Sequence, residues 1–492
     1  MNIFTYCGNE DMYISLKIKC LVFLTVLFLS PLPLYAEQAG LLNGPPVGER
    51  WFSITTGEER TGFTRTAIAA TADGFEVRSD SSAKMVVRGF PRDASSKEKY
   101  LINRDLSLRS FVVDQINSGN RMLLKGAATG KGIRLTIESE GKIRDKMLKT
   151  KGKVYPSPVL NIYPLMQAVK DGKKHRLQVF DPEDVKVKDV VIKLIGREIL
   201  PDGRDAIHMS NDLFILVDND IWVDQAGNTI LESVGDGLVV SKAEDELAAR
   251  SFLAAAAIAK KGMVLDFSLV RTEKLIVRPA ELKRLVMEFT GIPDFMPLVS
   301  GERQIATRLE GGRVLFIVEN PQFYQQKIQP GNSARKDDSK AVDSARQSPE
   351  LAGKANEIAG EEKNPVLITE KLTRWVAENI KESADDFIPT KALSAGKGDC
   401  LSRARLYAAL AREAGIQSRV VTGLVYQENK GFLFHAWAES LAGKWLPVDP
   451  SLGQTPADVT HIKLAEGETP LELALLASVI GQLEAKVVEE LY

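Results

Sequence analysis

Three cysteines in 492 residues leave no room for a disulfide framework, and four histidines leave few imidazoles for metal binding or acid–base work. Cys7 and Cys20 lie in or before an apolar leader, so Cys400 is the one thiol in the body of the chain. It has no partner for an internal disulfide, which makes it either a reactive residue or an inert buried one. An excess of charge of one sign is also missing, since 64 basic side chains stand against 65 acidic ones. That balance gives no field suited to nucleic acid or to an anionic membrane surface. No pair of histidines or cysteines has ligand spacing, so neither a metal nor another cofactor is expected. One apparent phosphate loop, "GAATGKG" from Gly126, is a residue short, and Gly132 stands where a hydroxyl side chain must hold the metal.

Continuous apolar sequence is confined to the start. "CLVFLTVLFLSPLPLYA" follows Lys17 and Lys19, is short for a bilayer span and is broken by Pro31 and Pro33. It reads as a signal peptide over residues 1–36, with Ala36 suited to cleavage. The protein is therefore expected to be exported, periplasmic or extracellular, and to touch the membrane only through that signal. The remainder, within a chain that is 44% hydrophobic and 26% charged, has an ordinary globular composition and is long enough for several domains.

Its patterning changes three times. Over residues 45–243, short runs such as "GIRLTIESEGKI" and "DVVIKLIGREIL" alternate polar and apolar positions between Gly, Asp and Asn, which predicts an antiparallel all-β module. The stretch "WFSITTGEERTGF" resembles the opening of an exported bacterial β-clamp of unknown function, and this resemblance implies a curved sheet with an apolar concave face. Residues 244–324 read as a small α+β unit: an Ala-rich helix, a second helix over "RPAELKRLVMEFTGI", and a hairpin with a primed two-residue turn at Gly311 and Gly312. Residues 325–363 are polar, charged and nearly free of large apolar side chains, which predicts a flexible linker, with a weak solvated helix in its second half as the alternative. Residues 364–492 form a third, α+β unit that opens on the amphipathic helix "NPVLITEKLTRWVAENIKE".

The chemistry lies in this last unit. In "GKGDCLSRARLYAALAREAGIQSRVV" Asp399 caps a helix that Gly415 ends, so Cys400 falls in the first turn, where free amides and the helix dipole stabilise a thiolate. A thiolate nucleophile needs an imidazole, and the imidazole needs an orienting group. His435 lies in the strand "GFLFHAWAES" and Asp449 ends the strand "KWLPVD". A three-residue turn at Leu441, Ala442 and Gly443 pairs Ser440 with Lys444 and sets His435 directly across from Asp449, whereas a two-residue turn points the two to opposite faces. Trp437, on the face of His435, is a candidate cleft wall for substrate. Asp458 is a reserve orienting carboxylate should Asp449 point away, and His461 is either a second ring near the site or, the favoured reading, a satisfied structural histidine.

"GDC" at 398–400, "REAGIQSRVVTG" at 412–423, "FHAWAE" at 434–439 and "WLPVDPSLGQ" at 445–454 together resemble the transglutaminase-like superfamily of papain-related cysteine enzymes. The resemblance implies Cys400 as nucleophile, His435 as general acid and base, and Asp449 as the orienting carboxylate. It implies acyl transfer through a thioester on protein or peptide amides of the cell envelope, with hydrolysis favoured over cross-linking. The rival reading is an envelope binding or scaffold protein whose β module holds an apolar ligand or a protein while the triad is silent.

Overall fold

The computed structural model describes residues 40–87, 90–167, 171–214, 217–320 and 348–492. The leader read as a signal peptide lies outside them. The protein is multidomain, a large antiparallel β module followed by α+β structure. The alternating runs after Gly48 form one sheet of fifteen strands. Gly48–Thr56 sits in the middle; on one side the strands follow in chain order out to Lys142–Leu148. On the other side Val239–Glu244 pairs with Gly48–Thr56, and the order runs backwards to Lys174–Asp181, with Val154–Pro156 added in parallel at the edge.

This sheet curls on itself. Phe111 and Phe180 stand in strands far apart in its order, yet their rings are 4.3 Å apart, and Gln115 Nε2 donates to the Pro182 carbonyl at 3.2 Å. Tyr100, Val113, Leu124 and Ile192 fill the concave side between the two arms. The expectation of an apolar concave face therefore holds for only part of it; Thr64, Thr66, Ser79 and Ser81 line another part. On the opposite face Trp51 and Phe63 meet two helices, α1 (Glu246–Ile258) and α2 (Gly262–Ser268), with the rings of Phe63 and Phe267 5.2 Å apart. The alanines of α1 leave little side chain between helix and sheet, so the elements pack closely.

Three sequence expectations are corrected here. The helix read over "RPAELKRLVMEFTGI" stops after the short turn Pro279–Glu281, and Arg284–Thr290 is a strand. Leu285, Met287 and Phe289 recur at a period of two and are all buried, so strand geometry buries more of this segment than helix geometry does. The supposed linker ends in a packed helix, α3 (Pro349–Ala359), because Leu351, Ala355 and Ala359 repeat every fourth residue and bury one stripe. The earlier part of that linker lies outside the described residues. The hairpin at Gly311 and Gly312 has a three-residue turn rather than a two-residue one, with Leu309 N donating to Arg313 O at 2.8 Å and both glycines at positive φ.

Arg284–Thr290 pairs with Val314–Glu319 on one side and with Glu484–Leu491 on the other. The last strand of the chain thus completes the sheet of the middle segment, and one hydrophobic core runs from Met287 and Phe316 to Leu424 and Phe434. The units read as 244–324 and 364–492 are not separate bodies.

Four more helices follow: α4 (Pro365–Asn379), α5 (Pro389–Ala395), α6 (Cys400–Glu413) and α7 (Pro470–Ala477). A four-stranded sheet, in the order Trp445–Val448, Gly431–Leu441, Ser418–Gln427, Ile462–Glu466, packs against α6. Among the described residues no helix is long and apolar enough to cross a membrane.

Candidate active site

The start of α6 is built as its sequence suggests. Asp399 is the N-cap, its carboxylate accepting from Ser402 N and Ser402 Oγ, each at 2.7 Å. Burial pushes this carboxyl up and the two bonds to Ser402 oppose it, so Asp399 serves as a cap. Cys400 is the first helical residue and is 9% exposed. Its thiol donates to the carbonyl of Ile258, the last residue of α1, at 3.1 Å.

His435 and Asp449 reach one another by a register two places from the expected one. Ser440 lies opposite Leu446 rather than Lys444, and the turn residues are Ala442, Gly443 and Lys444, with Gly443 at φ +84°. A slip of two keeps the same face, where a slip of one reverses it. His435 Nε2 therefore donates to Asp449 Oδ2 at 2.7 Å. The same oxygen accepts from His461 Nε2 at 3.0 Å, while Oδ1 accepts from the amides of Ser451 and Leu452 at 2.7 and 3.0 Å. Burial alone would favour the neutral acid, but the charges and hydrogen bonds of His435 and His461 hold the Asp449 carboxyl far below the usual carboxylate range. For His435, burial opposes the charge, and the charges of Asp449 and Cys400 outweigh it, pushing the imidazole up to about 10. Apart from Cys400, which acts on the ring both as a charge and as a hydrogen-bond partner, its Nδ1 has no partner, so the nitrogen left over after the bond to Asp449 serves the thiol side.

His461 is a second ring beside the site, the alternative to a purely structural histidine, and Asp458 orients it rather than His435. His461 Nδ1 faces Asp458 Oδ1 at 3.3 Å while its Nε2 faces Asp449, so both ring nitrogens point at carboxylates and the ring is held charged. Asp458 is fixed by the amide and hydroxyl of Thr460 at 2.9 and 2.6 Å and by Gln454 Nε2 at 3.0 Å. It orients His461 and stands one step away from the carboxylate beside His435. The only sequence signal for this was an aspartate three residues ahead of a histidine in "DVTH". Trp437, expected to wall the cleft, is 1% exposed, as buried as His435 beside it. Its ring lies edge-on to His461 at 5.3 Å and stacked beside His435 at 6.4 Å, packing both imidazoles in place. At Gly423 a Cβ would collide with the Ile462 carbonyl oxygen and meet this indole at 2.9 Å, which is why the neighbouring strand carries glycine there.

His435, Asp449 and His461 bring their ligand atoms within 4.8 Å of one another, the donor set of a three-ligand cation site. Both Nε2 atoms, however, lie at hydrogen-bond distance from one carboxylate oxygen, a geometry that proton sharing accounts for in full. The loop after Asp449 is anchored from the middle segment: Arg303 donates to the carbonyls of Ala457 and Asp458, each at 2.6 Å, and Gln304 bonds the backbone of Lys463 on both sides.

Residues 352–450 match the family model of the transglutaminase-like superfamily, so the C-terminal part of the chain is a transglutaminase-like domain. Comparison with curated proteins finds no match. Among solved structures, the β-barrel-like protein of a domain of unknown function, DUF1849, from Brucella abortus is similar at 11% identity and a TM-score of 0.32, covering 43% of this chain and 98% of its own. A protein from Cytophaga hutchinsonii described as a candidate cysteine protease is similar at 15% identity and a TM-score of 0.24, covering 43% of this chain and 86% of its own.

Proposed function

We propose that the transglutaminase-like domain is a cysteine enzyme that transfers acyl groups from protein or peptide amides. The observation that carries this reading is the pairing of His435 with Asp449 through Nε2 alone, which leaves Nδ1 with no partner other than Cys400, the group that helps to hold the ring's charge. In the proposed reaction the Cys400 thiolate attacks the amide carbonyl. Amides of the first turn of α6, which have no partner within the helix, stabilise the oxyanion. His435 passes its Nδ1 proton to the departing amine, and the C–N bond breaks to leave a thioester on Cys400. Water, activated by the now neutral His435, then releases the acid; an amine in its place would cross-link. Hydrolysis of envelope proteins or peptides, in an exported protein, is the form we favour. The Ile258 carbonyl at the thiol has to be displaced when substrate arrives.

The thioester is the direct test. Incubation with a mixture of peptides followed by acid quench and mass spectrometry is expected to show an acyl adduct on Cys400 that hydroxylamine removes. Absence of any adduct in the wild type, or an adduct that persists in Cys400→Ala, would contradict the proposal.

A further inference from the structure

The curled β module encloses a cavity of about 380 Å³ that the catalytic chemistry does not use. Apolar side chains fill the concave face elsewhere, so the polar lining here is a local feature of the sequence. Glu98 and Glu232 both line it. Glu98 accepts from the hydroxyls of Tyr100 and Ser96 at 2.7 and 3.0 Å, and Glu232 accepts from Asn219 Nδ2 at 2.9 Å. Among the described residues neither has a lysine or arginine in a salt bridge; burial pushes both carboxyls up, these neutral hydrogen bonds oppose it, and the charges of Glu183 and Asp80 push Glu98 up further. Asn219 is 1% exposed, lines the same cavity, and has an Oδ1 with no partner. Its Nδ2 is engaged by both Glu232 and Asn211, so the unpaired atom is an acceptor.

Arg50 also lines the cavity, but its guanidinium is engaged by Asn228 Oδ1 and the Glu49 carbonyl, so the buried acceptor without a donor and the two carboxyls outside any salt bridge share one deficit, a cationic hydrogen-bond donor. We propose that this cavity binds a ligand through an alkylammonium group, held by Glu232 and the Oδ1 of Asn219, with Glu98 as a second carboxyl for the far end of the ligand. An ammonium has three donors and no acceptor, which suits this set, and Phe52, Ile68 and Leu160 give its methylene stem apolar walls. The group can come from a free diamine or from a lysine side chain.

Calorimetric titration of the whole protein separates these sources and tests the idea. The titrants are 1,5-diaminopentane, a short N-acetylated lysine peptide amide, and 1,5-pentanediol as the neutral isostere. The diamine, the peptide or both are expected to bind at least about tenfold more tightly than the diol. Glu232→Gln, which keeps an acceptor for Asn219 Nδ2, is expected to remove that preference. Binding of the diamine alone assigns the site to a free amine, and binding of the peptide assigns it to a protein lysine. Equal affinity for the diol, or no heat with either amine at millimolar concentration, overturns the proposal, and neither outcome depends on a variant folding.

Discussion

The two histidines around Asp449 make the fold itself sensitive to pH. An imidazole held up to about 10 in the folded protein, as for His435, against about 6.5 in the unfolded chain, contributes stability that is fully present below about 6.5. Between those values the folded state binds more protons than the unfolded one, so stability falls as pH rises, by at most about 1.4 kcal/mol per pH unit for one such group. His461, also raised, acts in the same direction. Asp449, held low, contributes in the opposite sense: its share is present above about 4 and is lost as the pH falls. Denaturant unfolding is therefore expected to show stability declining from pH 6.5 toward 10, with a shallower decline in Asp449→Asn; equal slopes in the two proteins would contradict the assigned charges. At this scale much was legible. His435 and Asp449 could be set on one face because each carries a local context, a strand face and a strand end, and Asp399 and Gly415 mark the helix that begins at Cys400. His461 could be offered only as one of two alternatives, because a histidine's neighbours in sequence do not reveal that a carboxylate twelve residues back, Asp449, folds against its ring.

Elements were legible where one local pattern dominated and failed where two competed. The run from Arg284 to Thr290 contains good helix formers, yet the alternation of Leu285, Met287 and Phe289 governs once neighbours exist on both sides. Those neighbours are far away in sequence. Glu484–Leu491 lies almost two hundred residues downstream, and no short-range signal encodes that pairing. In α3 the alanines that made the segment look like linker are what allow it to lie close to the core. The final strand gives an expected outcome of its own. Ending the chain after Leu483 bares the edge of Arg284–Thr290 and the buried Val286 and Met287, and is expected to abolish cooperative thermal unfolding of the catalytic half. A truncated protein with an unchanged transition would show that this strand is dispensable.

On the scale of the whole molecule, a polar cavity and the triad residues lie on either side of a shared helical layer. The β module encloses a polar cavity, while its outer face at Trp51 and Phe63 packs on α1 and α2. The end of α1 in turn supplies the carbonyl that meets the Cys400 thiol. An all-β module could be read from alternation alone, but its curl could not, because that depends on contacts such as Phe111 with Phe180 between strands remote in the sheet. The covered thiol was likewise invisible in the sequence, since Ile258 lies 142 residues from Cys400.

The central claim is that Cys400 and His435 act as one unit. The measurement that tests it most directly is the rate of iodoacetamide labelling of Cys400 between pH 5 and 9, in the wild type and in His435→Ala. The account predicts labelling that is already appreciable at pH 6 in the wild type and at least about tenfold slower in the variant at that pH, the imidazolium being what holds the thiolate. Identical rates and identical pH profiles in the two proteins would contradict it.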